Sequence, residues 1–198
     1  MRTRSDRHRP TPSTMTGETP DSPLGPWIAR AADLGAEARL IDPGTVTTAE
    51  WVRMKCLYGC PDSGTSFACP PASPTPTQTR RLLDEYAAAL LLRVAADPGG
   101  DAAGQSRRLS RVALTLEREL FLVGFHKAFA IIAGGFCKPC DTRECLAAGH
   151  CLYPDHARPS ITASGIDVFA TSAAVGWPLE VVRADDDPYR LFALVLVR

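Results

Sequence analysis

Four cysteines lie close together in the second half of the chain and supply the donor type that soft metals bind. Cys137 and Cys140 form a Cys-x-x-Cys pair, and Cys145 and Cys151 follow within the same 15 residues, 137–151. Thiolate sulfur is preferred by zinc and by iron–sulfur clusters, and four thiolates satisfy either a tetrahedral zinc ion or a [4Fe–4S] cluster. This four-cysteine set is the predicted cofactor-binding and metal-binding site.

The spacing of the four-cysteine set favours an iron–sulfur cluster over zinc. Zinc ribbons usually contain two Cys-x-x-Cys pairs separated by a longer segment, whereas here one pair is followed by two single cysteines. Structural zinc is the alternative, and a thiol redox enzyme using Cys137 and Cys140 as an exchange pair is a third interpretation. Ordinary buried thiols are disfavoured because charged residues are interspersed with the cysteines, namely Lys138, Asp141, Arg143 and Glu144.

A second group, the three-cysteine set, consists of Cys56, Cys60 and Cys69 and lies in a segment rich in proline and glycine. Such a composition is poor in regular structure and in core-forming residues, so something other than apolar packing is expected to stabilise residues 56–76. Three sulfur donors either need a fourth ligand or leave one coordination position open, as reactive metal centres do. Core thiols or a redox pair are the remaining interpretation.

The other side chains that often carry chemistry form no clear pattern. Each of His126, His150 and His156 is a candidate to complete the three-cysteine set, but a histidine near a metal loop is more often an outer partner or a surface residue. Glu117 and Glu119 are expected to be solvated on a helix surface, and no Ser, His and Asp triad is legible. Whether the protein is an enzyme therefore stays open.

The elements that must position these residues are short helices alternating with strands. Asp167 begins the last predicted helix, where a carboxylate favours the helix dipole. Amphipathic spacing predicts helices over 27–34, 77–86, 106–124 and 166–175. Apolar runs bounded by turn residues predict strands over 38–41, 51–54, 90–94, 128–133, 179–182 and 191–197.

This alternation predicts an α/β or α+β fold: a single domain with a mixed sheet flanked by helices and two cysteine-rich loops. The loops are expected to leave strand ends and to lie close together as the functional face. Residues 1–25 are rich in proline, threonine, serine and arginine and have little to bury, which predicts a disordered tail. The metal-binding domain is expected to cover 26–198.

Composition narrows the partners and the compartment. The chain has 22 basic and 22 acidic side chains, so it has no net charge to attract nucleic acid. No apolar stretch is long enough to span a membrane. Seven cysteines, an odd number, cannot all pair as disulfides within one molecule, which favours a reduced, cytoplasmic metal protein. A redox partner protein is expected, while the oligomeric state is left open.

Separated motifs along residues 27–198 resemble one known family. They include Lys55-Cys56, Gly59-Cys60-Pro61, Cys69-Pro70-Pro71, Ser73-Pro74-Thr75, the helix 116–121, the four-cysteine set, Arg158-Pro159-Ser160 and Gly165-Ile166-Asp167-Val168. In this order they are similar to the predicted metal-binding proteins of the domain of unknown function 2284 family (DUF2284). The resemblance implies metal binding and no settled reaction.

The chain departs from the pattern of that family at one position. Where the family often has Met-Glu-Ala-Cys before the glycine, this sequence has Ile161-Thr162-Ala163-Ser164. If the additional cysteine is a ligand in other members, Ser164 leaves the three-cysteine set one donor short. The departure favours an open or a weaker site.

Overall fold

The computed structural model describes residues 23–96, 101–133, 144–184 and 187–198. Cys137, Cys140 and most of the predicted tail lie outside these ranges. Within them, six α-helices and four strands form an α+β fold, one of the two predicted classes. The helices are α1 (Gly25–Asp33), α2 (Glu50–Gly59), α3 (Pro76–Leu83), α4 (Ala102–Leu122), α5 (Glu144–Ala148) and α6 (Val168–Ala174). The strands are β1 (Glu37–Ile41), β2 (Ala89–Ala96), β3 (Phe129–Ile131) and β4 (Tyr189–Leu196).

The four strands form one sheet in the order β1-β2-β4-β3, and every neighbouring pair of strands is antiparallel. The sequence predicted a mixed sheet. In the described residues, parallel pairing is limited to an isolated bridge between Ile132 and Ser160, directly after β3. The central strands β2 and β4 are long and rich in apolar residues because neighbours cover both of their edges and both faces of the sheet.

Alternating side chains of the central strands build a core on each face of the sheet. Leu90 and Leu92 pack with α1 and α4, whereas Leu91, between them, packs with α3 and the segment 161–177. Each fully buried leucine stabilises the fold by roughly 2 kcal/mol. No helix in the ranges described is long and apolar enough to cross a membrane.

All four predicted helices and four of the six predicted strands are confirmed, with shifted ends. In α4 the buried positions recur at helical spacing, as the amphipathic pattern predicted. Asp167 caps α6, because its side-chain oxygen accepts a hydrogen bond from the backbone N–H of Ala170 at 3.0 Å. The short helix α5 was not predicted.

The predicted strand over 51–54 is wrong, because these residues form the first turn of α2. A strand would bury alternate residues, whereas here the adjacent Val52 and Arg53 are buried and Trp51 and Met54 are about half exposed. Burial of the arginine depends on distant hydrogen-bond partners, which spacing does not reveal. Cys56 consequently lies on a helix rather than on a loop that leaves a strand end.

The predicted strand over 179–182 is also wrong. This segment is irregular, and Val181 is 65% exposed. Pro178 precedes it and lacks the backbone N–H that a ladder of strand hydrogen bonds requires. Both edges of β4 are already paired, so the sheet offers this segment no place beside its last strand.

Gly165 joins the start of α2 to the start of α3. It has a φ of +76°, and its carbonyl oxygen accepts a hydrogen bond from the N–H of Ala49 at 2.8 Å. A Cβ atom at this position would lie 2.3 Å from Cγ of Pro76. Backbone conformation and close packing therefore both require glycine here.

We expect Gly165→Ala to lower the free energy of unfolding by roughly 2 to 4 kcal/mol, through left-handed strain and the clash with Pro76. Urea unfolding of the metal-free protein measures this. Gly149→Ala is the matched control, since Gly149 has a φ of +72° and a Cβ atom added there would meet nothing within 4 Å. The control should show only the backbone cost, about 1 kcal/mol. Equal losses in both variants would contradict the packing argument.

Candidate metal centre

The three-cysteine set spans the end of α2 and the turns that follow it. Cys56 lies on α2, Cys60 directly follows the helix, and Cys69 lies nine residues later; all three are half-buried. Between and after them the backbone forms successive turns, in which Cys69 N–H donates to the Ser66 carbonyl at 3.1 Å and Ser73 N–H donates to the Cys69 carbonyl at 2.9 Å. The prediction of irregular structure is confirmed for residues 60–75.

The sulfur of Cys69 is held by polar groups of its own turn. The Ser66 hydroxyl donates to Cys69 Sγ at 3.4 Å, and the thiol donates to the Asp62 carbonyl oxygen at 3.4 Å. These two contacts hold the sulfur against its own turn.

The thiol of Cys56 is affected by its burial and by charged neighbours. Burial raises the pKa of Cys56, negative charge on Cys60 and Cys69 raises it further, and the positive charge of Arg53 lowers it. Three thiolates in one region repel each other unless a cation balances them. The raised pKa favours the neutral thiol of Cys56, and a bound cation would favour its ionised form.

The sulfurs do not yet converge. In the described part of the chain, no three side chains of Cys, His, Asp or Glu are arranged to hold one metal ion. Binding a single ion through Cys56, Cys60 and Cys69 therefore requires the turns between them to move.

Arg53 lies on α2 about one helical turn before Cys56, and its side chain links this helix to other segments of the chain. Its Nη1 atom shares two hydrogens among four acceptors: the carbonyl oxygens of Ser73, Pro74 and Ala163 at 3.2, 2.7 and 3.0 Å, and Ser73 Oγ at 3.1 Å. The Ser73 hydroxyl in turn donates to the Ala163 carbonyl at 3.1 Å. These bonds join α2 to the segments that follow Cys69 and Cys151, and no local pattern in the sequence indicates this role of Arg53.

Two members of the four-cysteine set lie in the described ranges, on and just after α5. Cys145 is buried within the helix, and Cys151 is half-buried three residues beyond its end. Cys137 and Cys140 lie outside the described residues, so their places in the site stay predictions. His150 is exposed and its ring contacts the Ala148 carbonyl oxygen at 3.0 Å.

The connection from β3 to Ser160 contains all four cysteines and is closed at its base by backbone hydrogen bonds. Ile132 N–H donates to the Pro159 carbonyl at 3.0 Å, and Ile161 N–H donates back to the Ile132 carbonyl at 2.9 Å. The two ends of residues 133–159 consequently lie side by side. This loop base limits how far the cysteines between the ends can separate.

Glu117 of α4 reinforces the loop base, and the prediction that it is solvated is wrong. One carboxylate oxygen accepts from the N–H of Ala130 in β3 at 2.7 Å, and both accept from Arg158, with the shortest contact at 2.5 Å. The side chains of Glu117 and Arg158 are 13% and 19% exposed. The hydrogen bonds with Glu117 raise the pKa of Arg158, so this guanidinium stays charged.

Glu119 is likewise paired rather than simply solvated. It forms two hydrogen bonds with Arg30 of α1, at 2.7 and 2.9 Å. Its side chain is 32% exposed and that of Arg30 is 40% exposed, so this pair lies nearer the surface than the pair of Glu117 and Arg158.

A comparison with protein families identifies the family of the chain. The family model described as "Predicted metal-binding protein (DUF2284)" matches residues 39–197. The chain belongs to this family. No curated protein and no solved structure matches it. All seven cysteines fall within the part that DUF2284 covers.

Membership of DUF2284 supports the importance of residues whose role the spacing of the sequence alone did not indicate. Glu117 and Arg158 belong to two separate motifs of the family resemblance. The motifs indicated that both residues matter, but they did not indicate that the two side chains are in contact. The match does not identify the metal. The donor type of the described cysteines suits a soft metal, and all of them are half-buried or buried, but three of them do not converge on one point in the described residues.

Ser164 is the residue at which the sequence departs from the family resemblance. Its side chain is fully buried, and in the described structure its hydroxyl has no hydrogen-bond partner. Its carbonyl oxygen, by contrast, accepts from the Thr79 hydroxyl at 2.8 Å. An unpartnered buried hydroxyl is costly, whereas a thiol tolerates such a place well. The surroundings of Ser164 therefore suit sulfur at least as well as oxygen.

Proposed function

We propose that this protein binds metal through two cysteine sets and serves in redox chemistry or electron transfer. The four-cysteine set (Cys137, Cys140, Cys145 and Cys151) holds an iron–sulfur cluster of the [4Fe–4S] type. The three-cysteine set forms a second metal site. The observation that carries the proposal is the closed base of the loop that contains all four cysteines, where Ile132 forms backbone hydrogen bonds with Pro159 and Ile161. The family supports metal binding as such.

Each cysteine set has a distinct role under this proposal. A bound cluster supplies one-electron chemistry, and the four thiolates retain it on a loop whose ends are held together. The buried position of Cys145 shields part of that site from water. The three-cysteine set offers three donors and leaves a position open for a fourth ligand. Electron transfer requires a protein partner that donates or accepts electrons, and a reducing cytoplasm keeps the thiols available.

Purification without oxygen tests the proposal. We expect brown protein with broad visible absorption, iron and inorganic sulfide in equal amounts, and an electron paramagnetic resonance signal after chemical reduction. Colourless protein with stoichiometric zinc would instead establish the structural zinc alternative. Metal-free protein that reduces disulfides through Cys137 and Cys140 would favour thiol exchange.

A further inference from the structure

The outer side of α2 carries large apolar side chains that the described part of the chain leaves exposed. Trp51 and Met54 are about half exposed and Tyr58 is 82% exposed. They recur at spacings of three and four residues, so these three residues, the α2 stripe, share one side of the helix. Val52 is buried and Cys56 is half-buried on the opposite side. Exposed apolar side chains grouped in this way are typical of an interaction surface.

The two sides of the α2 stripe carry charges of opposite sign. Glu50 lies on one side and Lys55, five residues later, lies on the other, and both are exposed. The Lys55 ammonium is 5.1 Å from the centre of the Trp51 ring, which holds this charge next to the stripe. Within the described ranges neither Glu50 nor Lys55 forms an ion pair. Both charges are therefore available to a partner.

The spacing of these residues matches the seam of a parallel two-stranded coiled coil. In such a seam the first and fourth residues of each seven-residue repeat are apolar, and the residues that flank them are often charged. Trp51 and Tyr58 take the first position of successive repeats, and Met54 takes the fourth. Opposite flanks of two parallel helices meet, so Glu50 would lie beside Lys55 of a second copy. In an antiparallel pair each flank would meet the same flank, and like charges would face each other.

We propose that the α2 stripe is a docking surface for a second copy of this chain, whose own α2 packs parallel to the first about a twofold axis. The stripe supplies the apolar centre of the interface. The contact between Glu50 and Lys55 forms twice, once on each side of the axis, and sets the orientation. Cys56 faces away from the stripe and takes no part in the interface. The parallel arrangement places the Cys60 ends of both helices at the same end of the dimer.

Sedimentation equilibrium of the reduced, anaerobically purified full-length protein tests this pairing. A measurement over roughly 1 to 300 µM covers the dissociation expected of a small interface, and we expect a dimer at the upper end. Met54→Glu should weaken association roughly thirtyfold or more, because it places a charge at the centre of the seam. Leu122→Glu is the matched control, since Leu122 is also exposed but lies at the end of α4, outside the stripe. This control should match the parent.

Charge reversal tests the parallel orientation. Glu50→Lys and Lys55→Glu should each weaken association by roughly three- to tenfold, because like charges then face each other across the seam. The double variant Glu50→Lys/Lys55→Glu restores opposite charges and should return to within about threefold of the parent. Circular dichroism establishes folding, and if Met54→Glu does not fold, the charge variants decide.

A parent chain that is monomeric throughout this range overturns the inference, in favour of a different protein as the occupant of the stripe. A dimer that folded Met54→Glu leaves intact contradicts it as well, as do single charge reversals without effect or a double variant without recovery. Cys56→Ser should dimerise like the parent, because this side chain lies outside the interface. Loss of the dimer in Cys56→Ser would show that a shared metal or a disulfide joins the copies, which also refutes the inference. A dimeric parent without bound metal would contradict only the proposed function.

Discussion

Glu117→Gln is expected to lower the free energy of unfolding by roughly 2 to 4 kcal/mol, because it breaks a largely buried ion pair and leaves Arg158 without its partner. The carboxylate accepts hydrogen bonds on both oxygens, from Arg158 and from the backbone of Ala130. Glutamine has one acceptor oxygen, and its NH₂ group would face a second donor. Urea unfolding of the metal-free protein measures the loss.

Glu119→Gln is the matched control for this prediction. Glu119 lies two residues further along α4 and also pairs with an arginine, but that pair is more exposed. Water screens exposed pairs, so little change in stability is expected. Similar losses in the two variants would show that burial does not set the contribution of Glu117.

We expect Glu117→Gln also to change metal binding, in a way that a uniform loss of stability would not produce. Glu117 bonds both to β3, which precedes the four-cysteine set, and to Arg158, which follows that set. Folded Glu117→Gln should therefore weaken metal binding by the four-cysteine set and spare the three-cysteine set. Equal weakening of both sets would argue against a role for Glu117 in the loop base.

Local pattern predicted the parts of the fold whose burial follows a regular period. The helix α4 and the central strands β2 and β4 are long, and their buried residues recur at the spacing of the element itself. Local pattern predicted short segments less well. Residues 51–54 and 179–182 are both apolar runs, yet one begins a helix and the other is irregular, because whether a short apolar run pairs as a strand depends on its tertiary surroundings.

Sequence spacing predicted candidate ligands but not the groups that hold them in place. Cysteine type and proximity are visible along the chain, whereas the contact of Glu117 with Arg158 joins residues 41 positions apart. That of Arg53 with Ala163 joins residues 110 positions apart. A charged residue in a helix ordinarily indicates a solvated surface. Only the folded chain reveals that these particular charges are buried and bonded.

The two cysteine sets are supported in a similar way. In each, a buried or largely buried charged side chain on a helix bonds to backbone groups of distant segments: Arg53 of α2 for the three-cysteine set and Glu117 of α4 for the loop base. Charged side chains with several fixed partners adopt few alternative positions. The turns that present the sulfurs are short of apolar packing, so these bonds compensate for the missing core.

Single substitutions in the two sets are expected to remove different metals. Cys56→Ser should weaken metal binding at the three-cysteine set, and Cys145→Ser should weaken it at the four-cysteine set. Each loss should exceed the roughly 10- to 100-fold loss that is typical when an outer partner of a ligand is removed. Metal analysis and visible absorption of anaerobic protein measure both. Ser66→Ala is the control, because it removes only a hydroxyl that donates to Cys69 Sγ and should have a smaller effect.

The stability of these variants separates ligands from ordinary buried thiols. A metal that binds only the folded protein raises the free energy of unfolding by about 2.7 kcal/mol at a free concentration 100 times its dissociation constant. Cys56→Ser should lose this gain at the three-cysteine set while unfolding much like the parent without metal. Because burial raises the pKa of Cys56, the metal must displace a proton, so affinity at this set should fall as pH decreases. Full metal content in Cys56→Ser would refute its role as a ligand, and loss of all metal in that variant would show that the two sets form one centre.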